Sequence, residues 1–202
     1  MAHTMGPRGR TQIPINPSPG CIHSGGATLA QRQPLCPFPC SILPMSDGWQ
    51  SDPRLLPDLE TLAQRAQALV QAETAVVALA EAGGTHVYYA AAVGKHAAAI
   101  VGKRGAAATA GLCGLAFDSQ TPVRVCQAKG DERLRQDYVT ALGIETALAV
   151  PIVHAGQLIG ALMVLNQLEG RPFDAMAEQQ LQSYAQTIAP TIASTLDKLK
   201  TD

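Results

Sequence analysis

The chain has 202 residues, with 15 Lys/Arg set against 16 Asp/Glu and a formal net charge of −1. So even a balance, with no Lys/Arg cluster on one helix face, excludes the basic footprint of a nucleic-acid binder. No stretch of about eighteen apolar residues occurs, which excludes a helical membrane span.

The composition divides the chain in two. Residues 1–44 hold eight of the fourteen prolines, three of the five cysteines (Cys21, Cys36 and Cys40) and no acidic residue. Stretches such as IPINPSPG and QPLCPFPCSILP have neither helical nor strand period, and their prolines remove donors too often for a packed element. This segment is read as disordered or as a mis-assigned upstream extension, with Met45 the natural start of a domain over 45–202. It lacks the apolar core of a secretory signal and the amphipathic pattern of a transit peptide. Residues 45–202 carry 12 basic and 16 acidic residues and only two cysteines, Cys113 and Cys126. Two cysteines make no disulfide framework, and a reducing cytoplasm fits that usage.

Along the domain, LLPDLETLAQRAQALVQAE (55–73) places Leu55, Leu59, Leu62, Ala66, Leu69 and Val70 on one face of a helix. Pro57 and Asp58 suit its first turn. TAVVALAE and THVYYAAAVG flank Gly83-Gly84 and predict a β-hairpin. KHAAAIVGKRGAAATAG is so rich in alanine and glycine that helix and closing loop both fit. After GLCGLAFDSQ and Thr121-Pro122 comes the strand VRVC. DERLRQDYVTALG then predicts a short helix with Asp131 and Glu132 in its first turn and Gly143 as its C-cap. In TALAVPIVHAGQLIGALMVLN two apolar strands flank a tight turn at HAG, and the second, Leu158 to Leu165, is apolar on both faces and hence central. From Asp174 to Leu199 runs a long helix striped by Leu181, Tyr184 or Ala185, Ile188, Ile192, Thr195 or Leu196 and Leu199. That stripe fits either the domain's own core or a partner helix. Pro190 predicts a bend near residues 186–188. Hairpins in the middle and helices at both ends define an α+β domain: a central antiparallel sheet of five or six strands with flanking helices, the terminal ones long.

GLCGLAFDSQTPVRV, KGDERL and LAVPIVHAGQLIGALMVLN, followed by the F…E helix, resemble a GAF domain over roughly residues 55–196. In that family, similar in fold to PAS domains, the resemblance implies a small-molecule sensor or interaction module, rarely an enzyme. Gly160 is expected to let a helix or ligand approach the central strand. The cyclic-nucleotide-binding branch carries Asn-Lys, then Phe, then Asp-Glu at the corner after this strand. Here Asn166, Phe173 and Glu178 match, whereas Gln167 replaces the lysine and Ala177 the aspartate. Both halves of the ion pair have gone together, so no charge is stranded. The corner is therefore read as structural.

Five residues are singled out as candidate ligand contacts: Cys113, Cys126, Asp131, Arg135 and Tyr138. As an i,i+4 pair on a helix, Asp131 and Arg135 share a face with Tyr138 adjoining, where Arg135 suits a carboxylate or phosphate. Cys113 also raises an enzymatic alternative, because free-methionine sulfoxide reductases of the GAF type resemble G-x-C-G-x-A here. Their catalytic His-Ile-x-Cys-Asp run is replaced by KGDERLRQDY, which has no cysteine. Covalent bilin attachment is disfavoured because Cys113 precedes Gly114 and Cys126 precedes Gln127, not histidine. Haem would need His86 or His96 as an axial ligand; His154 falls in the hairpin turn. Gly102, Gly105, Gly111 and Gly114 lack the setting and the Lys-Ser/Thr of a phosphate loop. The expected function is a stand-alone regulatory domain binding a small molecule and acting through a homodimer of terminal helices or a signalling partner. Because the chain ends three residues after Leu199, no output domain is expected. A purely structural dimer module is the other reading.

Overall fold

The computed structural model describes residues 56–201; the expectations for residues 1–44, Met45 and Leu55 lie outside them. Helix α1 (Leu56–Leu69) leads into strands β1 (Ala72–Glu81) and β2 (His86–Gly94). A short helix α2 (Ala97–Ile100), strand β3 (Arg104–Ala106), helix α3 (Leu112–Ser119) and strand β4 (Val123–Val125) follow. Helix α4 (Gln136–Leu142), the hairpin β5 (Ala147–His154) and β6 (Gln157–Gln167), and helix α5 (Ala175–Thr201) complete the order.

The six strands form one antiparallel sheet in the order β3-β2-β1-β6-β5-β4. β1 and β6 are its centre, and each is buried along nearly its whole length, as two-sided apolar runs require. Two hairpins build the sheet outward from that pair. The first turns through Ala82–Gly84, where Gly83 and Gly84 have φ of 70° and 91°. The second turns through Ala155 and Gly156, whose φ of 49° and 78° match the twist of the flanking strands; His154 is exposed beside it.

Gly160 has a different purpose from the one expected. A Cβ there would stand 2.2 Å from the Ala78 carbonyl oxygen, so the glycine lets β1 approach, not a helix or a ligand. The same logic holds at Gly114, where a Cβ would meet the Ala107 carbonyl oxygen at 1.8 Å. That contact seats α3, an element the alanine- and glycine-rich sequence left without assignment, against the loop after β3.

The two faces of the sheet carry separate cores. On one face Val77, Leu79, Leu148, Val150, Leu162 and Val164 pack against α1 and α5. The α1 stripe is Leu59, Ala63, Ala66 and Val70, whereas Leu69 is 42% exposed. Leu181, Ala185, Ile188, Ile192 and Leu196 of α5 are buried in that same core, so these positions of the stripe pack on the domain itself. The helix runs unbroken through Pro190, which is exposed. Asp174 Oδ1 accepts the Ala177 N–H at 2.8 Å and caps the first turn. The Tyr184 hydroxyl donates to the Leu62 carbonyl at 3.2 Å and ties α5 to α1.

The corner that follows β6 is structural. Phe173 is 1% exposed in the α1/α5 core. Asn166 adopts φ of 52°, a left-handed geometry that asparagine tolerates by bonding locally. Its Oδ1 accepts the N–H groups of Glu145 and Thr146 at 2.7 and 3.3 Å. Its Nδ2 donates to Glu73 Oε2 at 2.9 Å and to the Gly143 carbonyl at 3.0 Å. Ala177 is buried, so an aspartate there would need a cation that Gln167 does not supply. Glu178 instead faces Arg124 of β4 at 3.6 Å.

Candidate functional site

On the opposite face the sheet presents Ala78, Ala147, Ala149 and Ala161 together with the larger Val76, Met163 and Leu165. Only short elements cover this side. Between them and β6 lies a cavity of about 130 Å³. Met163 and Leu165 of β6 line one wall, Val139, Leu142 and Ile144 the opposite one, and Ile100 of α2 another. Polar groups enter from Tyr89, Lys103, Arg135 and Tyr138.

The wall at 128–143 is shaped by side chains competing for backbone groups. Asp131 Oδ1 accepts the Arg133 N–H at 3.0 Å. Gln136 accepts the Gly130 N–H at 2.9 Å and donates to the carbonyls of Ala128 and Asp131 at 3.1 and 2.8 Å. These bonds hold residues 128–135 in turns, so the helix starts at Gln136, with Asp137, not Asp131 or Glu132, in its first turn. The Gly143 C-cap is as expected, at φ of 61°. The delayed start also dissolves the expected Asp131–Arg135 pair. Asp131 takes Arg133 (2.6 Å), and Arg135 takes Asp137 (2.5 Å).

At the cavity mouth the Tyr138 ring has two cations close to it. The Arg135 guanidinium is 4.5 Å and Lys103 Nζ 4.8 Å from its centroid, distances at which a ring's quadrupole attracts a positive charge. Lys103 Nζ also donates to the Tyr138 hydroxyl at 3.2 Å. Deeper in, the Tyr89 hydroxyl donates to the Ala110 carbonyl at 3.1 Å. Burial pushes the Tyr89 phenol well above its usual range, with Cys113 and Tyr138 adding smaller contributions, so it remains a neutral donor. Gly111, the N-cap of α3, stands at φ of 63° and packs beside Arg133 and Arg135.

Of the five candidate residues, Arg135 and Tyr138 come together at this cavity. Asp131, Cys113 and Cys126 lie outside its lining. Asp131 stays in the preceding turn with Arg133. Cys113 sits one layer behind, fully buried, its thiol 3.6 Å from the Met163 sulfur. Burial pushes that thiol up to about 12, against a smaller lowering by Tyr89. Cys126 is half-buried just after β4. Neither candidate haem histidine lines the cavity: His86 is exposed beside Thr85, and His96 is buried with its N–H on Thr74. Lys103, Tyr89, Met163 and Leu165 were not singled out in the sequence. The alternation Ala161-Leu162-Met163-Val164-Leu165 sorts residues between two faces, but it does not say which face is left open.

The GAF domain family model matches residues 55–192, and the chain belongs to that family. Among solved structures, the chain is similar to the GAF-B domain of DevS from Mycobacterium smegmatis, at 19% identity and a TM-score of 0.57, covering 71% of this chain and 96% of that one. It is similar to the GAF domain of a phosphoenolpyruvate-protein phosphotransferase (ptsP) from Coxiella burnetii, at 23% identity and a TM-score of 0.60, covering 70% and 84%. The free methionine-R-sulfoxide reductase of Neisseria meningitidis, solved with its substrate, shares 15% identity at a TM-score of 0.58, covering 70% and 80%. At these identities the likeness is one of fold. A comparison with curated proteins returns no match. GAF domains are generally sensory or regulatory, and no described helix is long and apolar enough to cross a membrane.

Proposed function

We propose that this GAF domain is a small-molecule sensor whose ligand occupies the cavity between β6 and the 131–142 segment. The observation that carries the reading is the cavity: an apolar space of about 130 Å³ with a few convergent polar groups, the usual make-up of a ligand site. A purely structural module would fill that space with its own side chains. The proposal is non-enzymatic. The nucleophile of a thiol reductase is a thiolate, and Cys113 is buried behind the cavity with its thiol pushed up to about 12. A tetrapyrrole is far larger than this space, which disfavours haem and bilin.

β6 links the cavity to the terminal helices. Met163 and Leu165 touch the cavity, while the alternating Leu162 and Val164 belong to the core shared with α1 and α5. A ligand that shifts β6 therefore shifts what α5 rests on. It does so only by as much as it prefers one of the two arrangements. We assign the output to a homodimer or a signalling partner that docks on α1 and α5.

The test is thermal unfolding of the full chain against cyclic nucleotides, nucleotides, amino acids, 2-oxo acids, haem and biliverdin. A ligand at a hundred times its Kd raises Tm by about 5–10 °C at this size, and Ile144→Trp, which fills the cavity, abolishes the shift. Silence across the panel, or a shift that survives Ile144→Trp, overturns the reading. Sedimentation with and without the responding ligand then reports whether the oligomeric state follows occupancy.

A further inference from the structure

Resting on that reading of the cavity, we infer that its ligand is a small monocarboxylate with a compact apolar body, its carboxylate held at the mouth by Lys103 and its body against Met163, Leu165, Leu142 and Ile144. Two quantities carry the assignment: the charge at the mouth and the size of the space.

Three cations line the cavity, and two of them are already neutralised. Arg104 Nε lies 2.8 Å from Glu81 Oε2. Arg135 turns both Nε and Nη2 to Asp137, at 3.2 and 2.5 Å, so its two-pronged face is occupied. Lys103 differs. Its ammonium touches only the neutral hydroxyl and ring of Tyr138, and no carboxylate among the described residues pairs with it. One uncompensated positive charge therefore stands at the mouth. A single negative charge matches it, whereas a phosphate dianion would exceed it. An ammonium has three donors and no acceptor. After its bond to Tyr138, Lys103 has two N–H groups left for a carboxylate.

The space sets the size. An apolar cavity of roughly 150 Å³ takes a benzene molecule, and this one is about 130 Å³. It accommodates a branched or cyclic body of about four to six carbons. The deeper wall is aliphatic, and Tyr89, whose hydroxyl is already committed to Ala110, offers no free donor to a second polar group. A second carboxylate or a phosphate carried into that space would have to bury its charge without a donor there.

The experiment is calorimetric titration of the full chain with 4-methylpentanoate and with its neutral isostere 4-methylpentanamide, in low salt and in 0.5 M NaCl. The acid is expected to bind at least tenfold more tightly than the amide. Lys103→Met is expected to abolish that preference, weakening the acid at least tenfold and the amide much less. Salt weakens the acid alone, because the mouth is exposed. Straight-chain acids from acetate to octanoate should show affinity rising and then falling beyond about six carbons. Equal binding of acid and amide, or an acid preference that survives Lys103→Met, overturns the carboxylate assignment and leaves the sensor reading intact. So does a Tm response to some other class of ligand with none to the acids. No binding by any compound overturns both. Lys103 is exposed, so its replacement is expected to leave the fold intact, which circular dichroism checks.

Discussion

The two faces of the sheet are built to opposite ends. The α1/α5 face is closed by two long helices, with Leu148, Val150, Ile152, Leu162 and Val164 projecting into them, all essentially inaccessible. The other face projects Ala147, Ala149 and Ala161 from the same strands. It is covered by α2, α3 and α4, of four, eight and seven residues, and by turns pinned through Asp131 and Gln136. The short elements over this face leave volume beside Met163 and Leu165. Strand alternation thus divides stability from binding, the first face holding the domain together and the second holding an opening.

Removing a large side chain from the closed face should give the largest effect. Phe173→Ala is expected to cost about 3–5 kcal/mol in denaturant unfolding, since its site is sealed by α5 and the sheet. A loss below about 1 kcal/mol would mean that the closed face is not the stabilising one. Next comes the corner between the faces. Asn166→Ala strands the N–H groups of Glu145 and Thr146 and takes a donor from Glu73, at an expected cost of about 2–3 kcal/mol by the same measurement.

Enlargement sharpens the contrast because its sign should differ between faces. Ala63→Leu, on the fully buried stripe of α1, has no space to enter and should destabilise by about 1–3 kcal/mol. Ile144→Phe fills the cavity and should stabilise by up to about 1 kcal/mol while abolishing ligand binding. Destabilisation by both would argue that the cavity closes in solution. The smallest effect concerns pH. The bond from Asn166, together with Lys95 and against some desolvation, holds the Glu73 carboxyl below its ordinary 4.5. A depressed carboxylate contributes stability that is complete above its unfolded value and lost as pH falls through the folded one. Stability should therefore slope downward below about pH 4.5, and Glu73→Gln should flatten that slope in urea titrations.

What the residues spelled out locally, they spelled out well. Periodicity marked α1, both hairpins, the central place of β6 and the long α5, and the paired loss at Gln167 and Ala177 marked the corner as structural. Those signals are local because alternation, turn chemistry and capping depend on neighbours in the chain. The candidate site was legible only in part. Arg135 and Tyr138 could be placed on the wall, but the helix start at Gln136 depended on bonds from its side chain to the backbone at 128–131, and it re-paired Asp131 with Arg133 and Arg135 with Asp137. α3 escaped notice because GLCGLAFDS is half alanine, glycine and leucine, and its place is fixed by the fit of Gly114 against Ala107, a tertiary contact.

By itself the sequence determined an α+β domain, since hydrophobic period and turn residues suffice to order elements in a sheet, and its motifs resembled a GAF domain over roughly residues 55–196. Only the tertiary structure decided which face closes and which opens, and where Lys103 ends up. Lys103 comes from the loop before β3, and Tyr138 lies thirty-five residues further on. A charge finds its partners through space, and the one cation at the cavity left without a carboxylate among the described residues becomes visible only once the others have been matched.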